Sequence, residues 1–304
     1  MSALLEVVRL RQEFRTARGN PVTAVGGVSF EVNAGETYGL VGESGSGKST
    51  IGRCLVRLNN PTSGDIVLSG RMVSGRLDRR TTAHLRAKAQ MIFQNPTSSL
   101  NPRRRVGDIV AEGLRATGRS GPAVREAVVD MLERVGLSAE HVDRFPHQFS
   151  GGQRQRIGIA RALVVRPDLV IADECVSALD VSIQAQVVNL MAELQRDLGT
   201  AYVFIAHDLA MVQHLSHRIG VLHQGFLVET GTTQEIFTGA VHPYTRSLLA
   251  AVLSPDPRAM RRRVASAPYD PKALGIDYLS GTEHTLSPTH RVLGTAEQVS
   301  AWTS

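Results

Sequence analysis

The run Gly42-Glu43-Ser44-Gly45-Ser46-Gly47-Lys48-Ser49-Thr50 places one lysine among three glycines, with two hydroxyl residues directly after it. The spacing G-x-x-x-x-G-K-[ST] is that of a loop built to wrap phosphate groups. Glycines let the backbone come close to an anion, and the amides at a helix start point their N–H groups at it. The helix dipole adds positive character at the same end. Lys48 supplies a charge suited to the β- and γ-phosphates of a nucleotide, and Ser49 offers a hydroxyl to Mg²⁺. A glycine-rich turn with a chance lysine is the plain alternative, but here a strand precedes the run and a helix follows it.

Two further runs belong to the same chemistry. Leu169-Val170-Ile171-Ala172 is continuously apolar and ends in Asp173 and Glu174. A parallel strand would deliver both acids to its C-terminal edge, where ligands bind in open sheets. Asp173 is a hard oxygen ligand for Mg²⁺, directly or through water. Glu174 stands where a base could polarise an attacking water. In Phe149-Ser150-Gly151-Gly152-Gln153-Arg154-Gln155-Arg156, Ser150 can cap a helix, and the glycine pair opens the backbone at its positive end. That makes a second phosphate site, Ser150 to Gln153, distinct from the first.

Elements must hold these residues in place. Residues 24–41 alternate apolar and polar before Tyr38-Gly39-Leu40-Val41 runs into the loop as a short strand. Ile51, Cys54, Leu55 and Leu58 fall at helical spacing after it. Gln90 to Phe93, Tyr202 to Ala206 and Gly220 to Leu222 read as further buried strands. Val124, Val128, Met131, Leu132 and Val135 mark a helix closed by Gly136; Ile183, Val187, Leu190, Leu194 and Leu198 mark one closed by Gly199. Apolar strands separated by helices predict a mainly parallel sheet covered on both faces. The helix-rich stretch from about 95 to 165 reads as an inserted subdomain. Beyond about residue 240 the pattern weakens and prolines recur at 243, 255, 257, 268 and 271, with a basic run at Arg261-Arg262-Arg263.

Composition bounds the rest. The chain has 304 residues, 42% of them hydrophobic, enough for one large domain with an appendage. No stretch of about 18 apolar residues reads as a membrane span, and Met1 to Leu10 lacks a secretory-signal pattern. Cys54 and Cys175 form neither a disulfide framework nor a metal-ligand spacing. The net charge of +6, almost wholly from arginine, is compatible with nucleic acid or an anionic surface, or simply with solvated surface and phosphate-binding residues. Cys175 directly follows the candidate base, so it reads either as a thiol whose modification disturbs Glu174 or as a buried, inert one.

The stretch from Phe149 to Arg156 resembles the signature of ATP-binding-cassette (ABC) ATPases, with Phe149 where Leu is usual. The resemblance spans roughly residues 4–255 and implies a P-loop α/β cassette: a mainly parallel core, an antiparallel N-terminal β region, an inserted helical subdomain and a small C-terminal extension. It implies a cassette over 4–240 and an extension over 241–304. By resemblance, Gln94 is the glutamine that ligates Mg²⁺ and links the nucleotide site to the membrane partner. Ser177-Ala178-Leu179-Asp180 is similar to the loop that crosses a dimer interface, His207 to the histidine at the γ-phosphate, and Phe14 to the aromatic stacked on adenine. Ser98-Ser99-Leu100-Asn101-Pro102-Arg103, Asp180 to Gln186 and His242-Pro243-Tyr244-Thr245 are similar to the oligopeptide/dipeptide importer branch. Cys175 stands where many members carry proline.

The resemblance therefore implies an ATPase using ATP and Mg²⁺, peripheral at the cytoplasmic face of the cell membrane. Its partners would be a second cassette (a related chain or a second copy), two integral-membrane permease subunits and an external solute-binding protein. No nucleic acid is expected among them. The competing class is an ABC ATPase acting on nucleic acid or ribosomes. That class commonly shows paired cassettes in one chain, a long coiled-coil insertion or zinc-binding cysteines, none of which this sequence displays.

Overall fold

The computed structural model describes residues 3–15, 19, 21–177, 179–252 and 269–304. Ala178, Pro255, Pro257, Pro268 and the run Arg261 to Arg263 lie outside the described residues. The described strands are β1 (Leu5–Arg15), β2 (Pro21–Val32), β3 (Thr37–Val41), β4 (Ser63–Leu68), β5 (Arg71–Met72), β6 (Ala89–Ile92), β7 (Leu169–Asp173), β8 (Ala201–Ala206), β9 (Arg218–His223), β10 (Phe226–Thr232), β11 (Thr282–Thr285) and β12 (Arg291–Gly294).

They form two sheets. One runs β2-β1-β4-β5 and is antiparallel; the other runs β11-β12-β10-β9-β3-β8-β7-β6. In the second, β9, β3, β8, β7 and β6 are mutually parallel, and β10, β12 and β11 continue it antiparallel.

The parallel strands are apolar on both sides because each side faces a different core. Val41, Val170, Ala172, Tyr202 and Phe204 pack with the helical insertion, whereas Leu40, Ile171, Val203 and Ile205 pack with the antiparallel sheet and with Ile51 and Leu55. The period of two in a strand sends alternate residues to opposite faces, so one short run feeds two cores. The insertion consists of helices Val106–Ala116, Pro122–Arg134 and Gly151–Leu163, joined to the first core through Ile109, Leu114, Val128, Leu132 and Ile157.

One sequence expectation shifts. The helix after the phosphate loop spans only Lys48–Leu55, and Leu58 is exposed rather than on its apolar stripe. Arg57 adopts a left-handed φ of 58°, and the amides of Leu58 and Asn59 turn back onto the Arg53 carbonyl. That is how a helix end satisfies carbonyls that have lost their intrahelical partners. The C-terminal region adds to the main sheet: β12 pairs with β10 through Glu229↔Val292 and Thr230↔Arg291.

Two buried or shielded carboxylates clamp that addition. Glu229 accepts hydrogen bonds from the amides of Val241 (2.7 Å) and His242 (3.1 Å), and its Oε1 lies 2.8 Å from His290 Nε2. Glu235 accepts from the hydroxyls of Thr232, Ser287 and Thr289, which together hold its carboxyl down at about 2 against the opposing effect of its burial.

Candidate functional site

The strand register sets the site. Val41 lies level with Ala206 and Val221, Asp173 with Ile205, and Ile92 with Ala172. The residues that follow these strands therefore emerge along one sheet edge: Gly42 after β3, Gln94 just past β6, Glu174 after β7 and His207 after β8.

The loop from Gly42 to Thr50 is packed too tightly for side chains at two glycines. A Cβ on Gly42 would stand 2.0 Å from the Leu222 carbonyl oxygen, and one on Gly47 would stand 2.3 Å from that of Ala24. Both take positive φ, 151° and 105°, which β-carbons disfavour in any case. Lys48 is buried, and its ammonium donates to the carbonyls of Gly42 (2.7 Å) and Glu43 (2.8 Å). Burial lowers its pKa, opposed by the charges of Glu174, Asp173 and Glu43. Glu43, Ser44 and Gly45 form the exposed crest, while Ser46 is buried with its carbonyl held by the Gly225 amide.

Ser49 and Asp173 meet directly: the hydroxyl donates to Oδ1 at 2.7 Å. Burial raises the Asp173 pKa, partly offset by that hydrogen bond and by Arg53 and Lys48. Gln94 Nε2 donates to Glu174 Oε2 at 2.7 Å, although the two are 80 positions apart. Glu174 has a left-handed φ of 42°, costly for a residue with a β-carbon. The turn is fixed by its amide on the Ile205 carbonyl (2.9 Å) and by its own carbonyl accepting from the amide and hydroxyl of Ser177. Strained backbone held this firmly is characteristic of functional positions.

The donor set suits Mg²⁺. A hydroxyl and a carboxylate 2.7 Å apart, with the Gln94 carboxamide on the neighbouring Glu174, offer few protein oxygens. An ion that keeps waters and shares phosphate oxygens needs no more.

Ser150 to Gln153 sit elsewhere. Ser150 is exposed and caps helix Gly151–Leu163 through a reciprocal box: Gln153 N donates to Ser150 Oγ at 3.3 Å, and Ser150 N donates to Gln153 Oε1 at 3.0 Å. Gly152 packs against Ile183 and Gly151 lies near Leu179, so the helix start adjoins the Leu179–Asp180 segment. Among the described residues no hydrogen bond joins residues 150–153 to the loop at 42–50. Asp180 and His207 are exposed. Phe14, 43% exposed, pairs across β1–β2 with Val22, two residues from the Ala24 that abuts Gly47. An apolar ring held out beside the loop is available for stacking.

Cys175 resolves to the inert alternative. It is 2% exposed, its thiol pKa is pushed up to about 12 by burial, and its sulfur lies 3.9 Å from that of Met191. Cys54 is likewise buried and raised to about 11. Both thiols are protonated at neutral pH, and the thiolate is the reactive form. Alkylation of the native protein at pH 7.5, read by intact mass, is expected to leave both unlabelled and turnover unchanged. Labelling of Cys175 without unfolding would contradict this packing.

A buried lysine in a glycine-lined loop, with a hydroxyl–carboxylate pair and a second acid just past the end of β7, defines a P-loop nucleotide-hydrolysing cassette. The comparisons narrow this. Residues 25–177 match the family model described as ABC transporter, and residues 228–276 match the oligopeptide/dipeptide transporter C-terminal region. The oligopeptide transport ATP-binding protein OppF of Streptococcus mutans is 51% identical over 98% of this chain and 97% of its own length. The dipeptide transport ATP-binding protein DppF of Lactococcus lactis is 48% identical over 98% and 96%. Among solved structures, the cassette MJ0796, a dimer in a post-hydrolysis state bound to ADP and Pi, superposes with a TM-score of 0.68 at 26% identity, covering 75% of this chain and 98% of that one. The chain belongs to the ABC transporter family, as its ATP-binding and ATP-hydrolysing cassette.

The sequence did not reveal that Tyr244 reaches the phosphate loop: the Glu43 amide donates to its hydroxyl at 3.0 Å across 201 positions. The run His242 to Thr245 was the available signal, and it carries no indication of what it touches.

Proposed function

We propose that this chain energises import of peptides or related small solutes, from the cytoplasmic face of the cell membrane, as one of a pair of cassettes. Two permease chains would form the solute path, and an external solute-binding protein would deliver the solute. No described helix is long and apolar enough to cross a membrane, so the path is assigned to other chains. The observation that carries the reading is β10: it enters the region that matches the oligopeptide/dipeptide transporter C-terminal model at residue 228, and it pairs with β9 of the sheet that bears the cassette site. Residues 4–240 are read as the cassette, with its helical insertion at about 95–165, and residues 241–304 as the extension.

Within the site, Lys48 and the uncommitted amides of the Gly42 to Thr50 loop would bind the nucleotide phosphates, and Phe14 would stack on the base. Ser49, Asp173 and Gln94 would hold Mg²⁺, which when bound neutralises phosphate charge. Glu174 would take the proton of the attacking water, and His207 would face the γ-phosphate. Ser150 and Gly151, exposed, Gly152 and Gln153, half-buried, and the exposed Asp180 would complete the site of the partner cassette.

The test is reconstitution of this chain with its partner cassette, permease and solute-binding chains in vesicles. ATP-dependent uptake of a labelled peptide mixture is expected, lost when this chain is omitted. Co-purification with RNA or ribosomes, and no permease, would replace this reading with the nucleic-acid class.

A further inference from the structure

Tyr244 is fully buried at the start of helix Pro243–Val252, yet its hydroxyl accepts the Glu43 amide at 3.0 Å. Glu43 is held at both ends of its residue: its carbonyl receives the Lys48 ammonium at 2.8 Å and the Ser46 amide at 3.2 Å. The tyrosine thus fixes the peptide that carries one of the two carbonyls on which the lysine rests. Glu43 itself is exposed, and its amide is committed to the tyrosine.

The ring of Tyr244 is itself fixed. It packs 4.2 Å from the ring of His223, at the end of β9, and 5.2 Å from that of Tyr269. His223 Nδ1 lies 2.6 Å from the Tyr278 hydroxyl, which lies 3.0 Å from that of Tyr269. Three tyrosines of the C-terminal region therefore converge on the end of the strand whose Leu222 carbonyl abuts Gly42. Burial raises the Tyr244 pKa to about 12, so the hydroxyl stays neutral at neutral pH.

We propose that Tyr244 is a positioning residue of the nucleotide site: its hydroxyl holds the Glu43 peptide, and through it Lys48, so that the C-terminal region sets nucleotide affinity. This rests on the assignment of residues 42–50 as the nucleotide site. A flexible loop must be ordered before it binds phosphate, and a residue that orders it in advance removes that cost from binding. Losing one such hydrogen bond is expected to weaken binding by about threefold to tenfold.

The experiment titrates the full chain with a fluorescent ATP analogue and with ADP, in Tyr244→Phe, Tyr278→Phe and Lys48→Ala variants. Tyr244→Phe keeps the ring and its packing, so its unfolding temperature without nucleotide should stay close to that of the native chain. Its Kd for both nucleotides should rise about threefold to tenfold, and in the assembled transporter KM for ATP should rise while kcat is kept. Hydrogen exchange at the Glu43 amide should accelerate. Tyr278→Phe removes an equally internal hydroxyl from the same cluster but none from the loop, and should leave Kd unchanged. Unchanged Kd in Tyr244→Phe, alongside lost binding in Lys48→Ala, would overturn the proposal alone. Unchanged binding in Lys48→Ala would instead remove the site on which it rests. Equal weakening in both tyrosine variants would also overturn it, by assigning the effect to the cluster's packing.

Discussion

Glu174→Gln is expected to slow ATP hydrolysis by roughly 10²–10⁴ while sparing ATP binding. The amide keeps the size of the carboxylate and can still bond to water, but it cannot accept a proton. Gln94, which now donates to Glu174 Oε2, can do the same to an amide oxygen, so the geometry at the end of β6 is conserved. The left-handed turn at residue 174 depends on backbone groups of Ile205 and Ser177, not on the carboxylate. Lys48, Ser49 and Asp173 are untouched. With hydrolysis slowed and binding retained, paired cassettes should accumulate closed around ATP. Size exclusion with the partner cassette, with and without Mg-ATP, should show an ATP-dependent shift that Ser150→Arg abolishes, because the exposed Ser150 then meets the other chain's nucleotide with a bulky side chain. Phosphate release near the native rate in Glu174→Gln would show that another group, Asp180 or His207, accepts the proton.

Lys48→Ala is expected to weaken ATP binding at least tenfold and to abolish turnover. Among the described residues, the buried ammonium is hydrogen-bonded to neutral oxygens alone, the carbonyls of Gly42 and Glu43 and the hydroxyl of Ser46. Its charge is therefore available to an anion entering the loop. Charge-assisted hydrogen bonds contribute about 1.5–3 kcal/mol each, and 1.4 kcal/mol is tenfold in affinity. Truncation also strips the buried Gly42 carbonyl of the lysine and leaves the Glu43 carbonyl with the Ser46 amide, which loosens the loop before any nucleotide arrives. Arginine is no substitute, since its planar fork does not match a pocket made for a compact ammonium. Equilibrium titration with ATP and a phosphate-release assay are the measurements. Native-like affinity would remove the loop from the nucleotide site.

What was legible in the sequence was local. The phosphate loop, the strand ending in two acids and the capped glycine helix are written in contiguous residues, because each is one turn or one helix end. The parallel sheet followed from apolar runs of three to five residues separated by helices. The pairs that assemble the site were not legible as contacts. Ser49 on Asp173 spans 124 positions and Gln94 on Glu174 spans 80; only strand register brings them together. The C-terminal region was the hardest. β11 is the polar sequence Thr-Glu-His-Thr and β12 is Arg-Val-Leu-Gly, each of four residues, too short for a strand period to stand out in the sequence. Their place is set by Glu229 and Glu235, carboxylates that a sequence reading assigns to the surface. The expected helix through Leu58 failed for a similar reason, since Arg57 in a left-handed conformation ends it without any glycine or proline.

The β12–β11 addition also changes what the sheet presents to other molecules. Ending at β10, the sheet would leave Glu229 and Thr230, which pair with Val292 and Arg291, on a border strand without an outer neighbour. Such a border is a template for another chain's strand, and long apolar ones invite aggregation. With the hairpin in place, the outermost strand has four residues, all polar and mostly exposed. A chain cut after Ala240 would keep every residue of the catalytic edge and still uncover that adhesive border. The last strands thus serve colloidal behaviour as much as shape: they let a wide sheet stop growing.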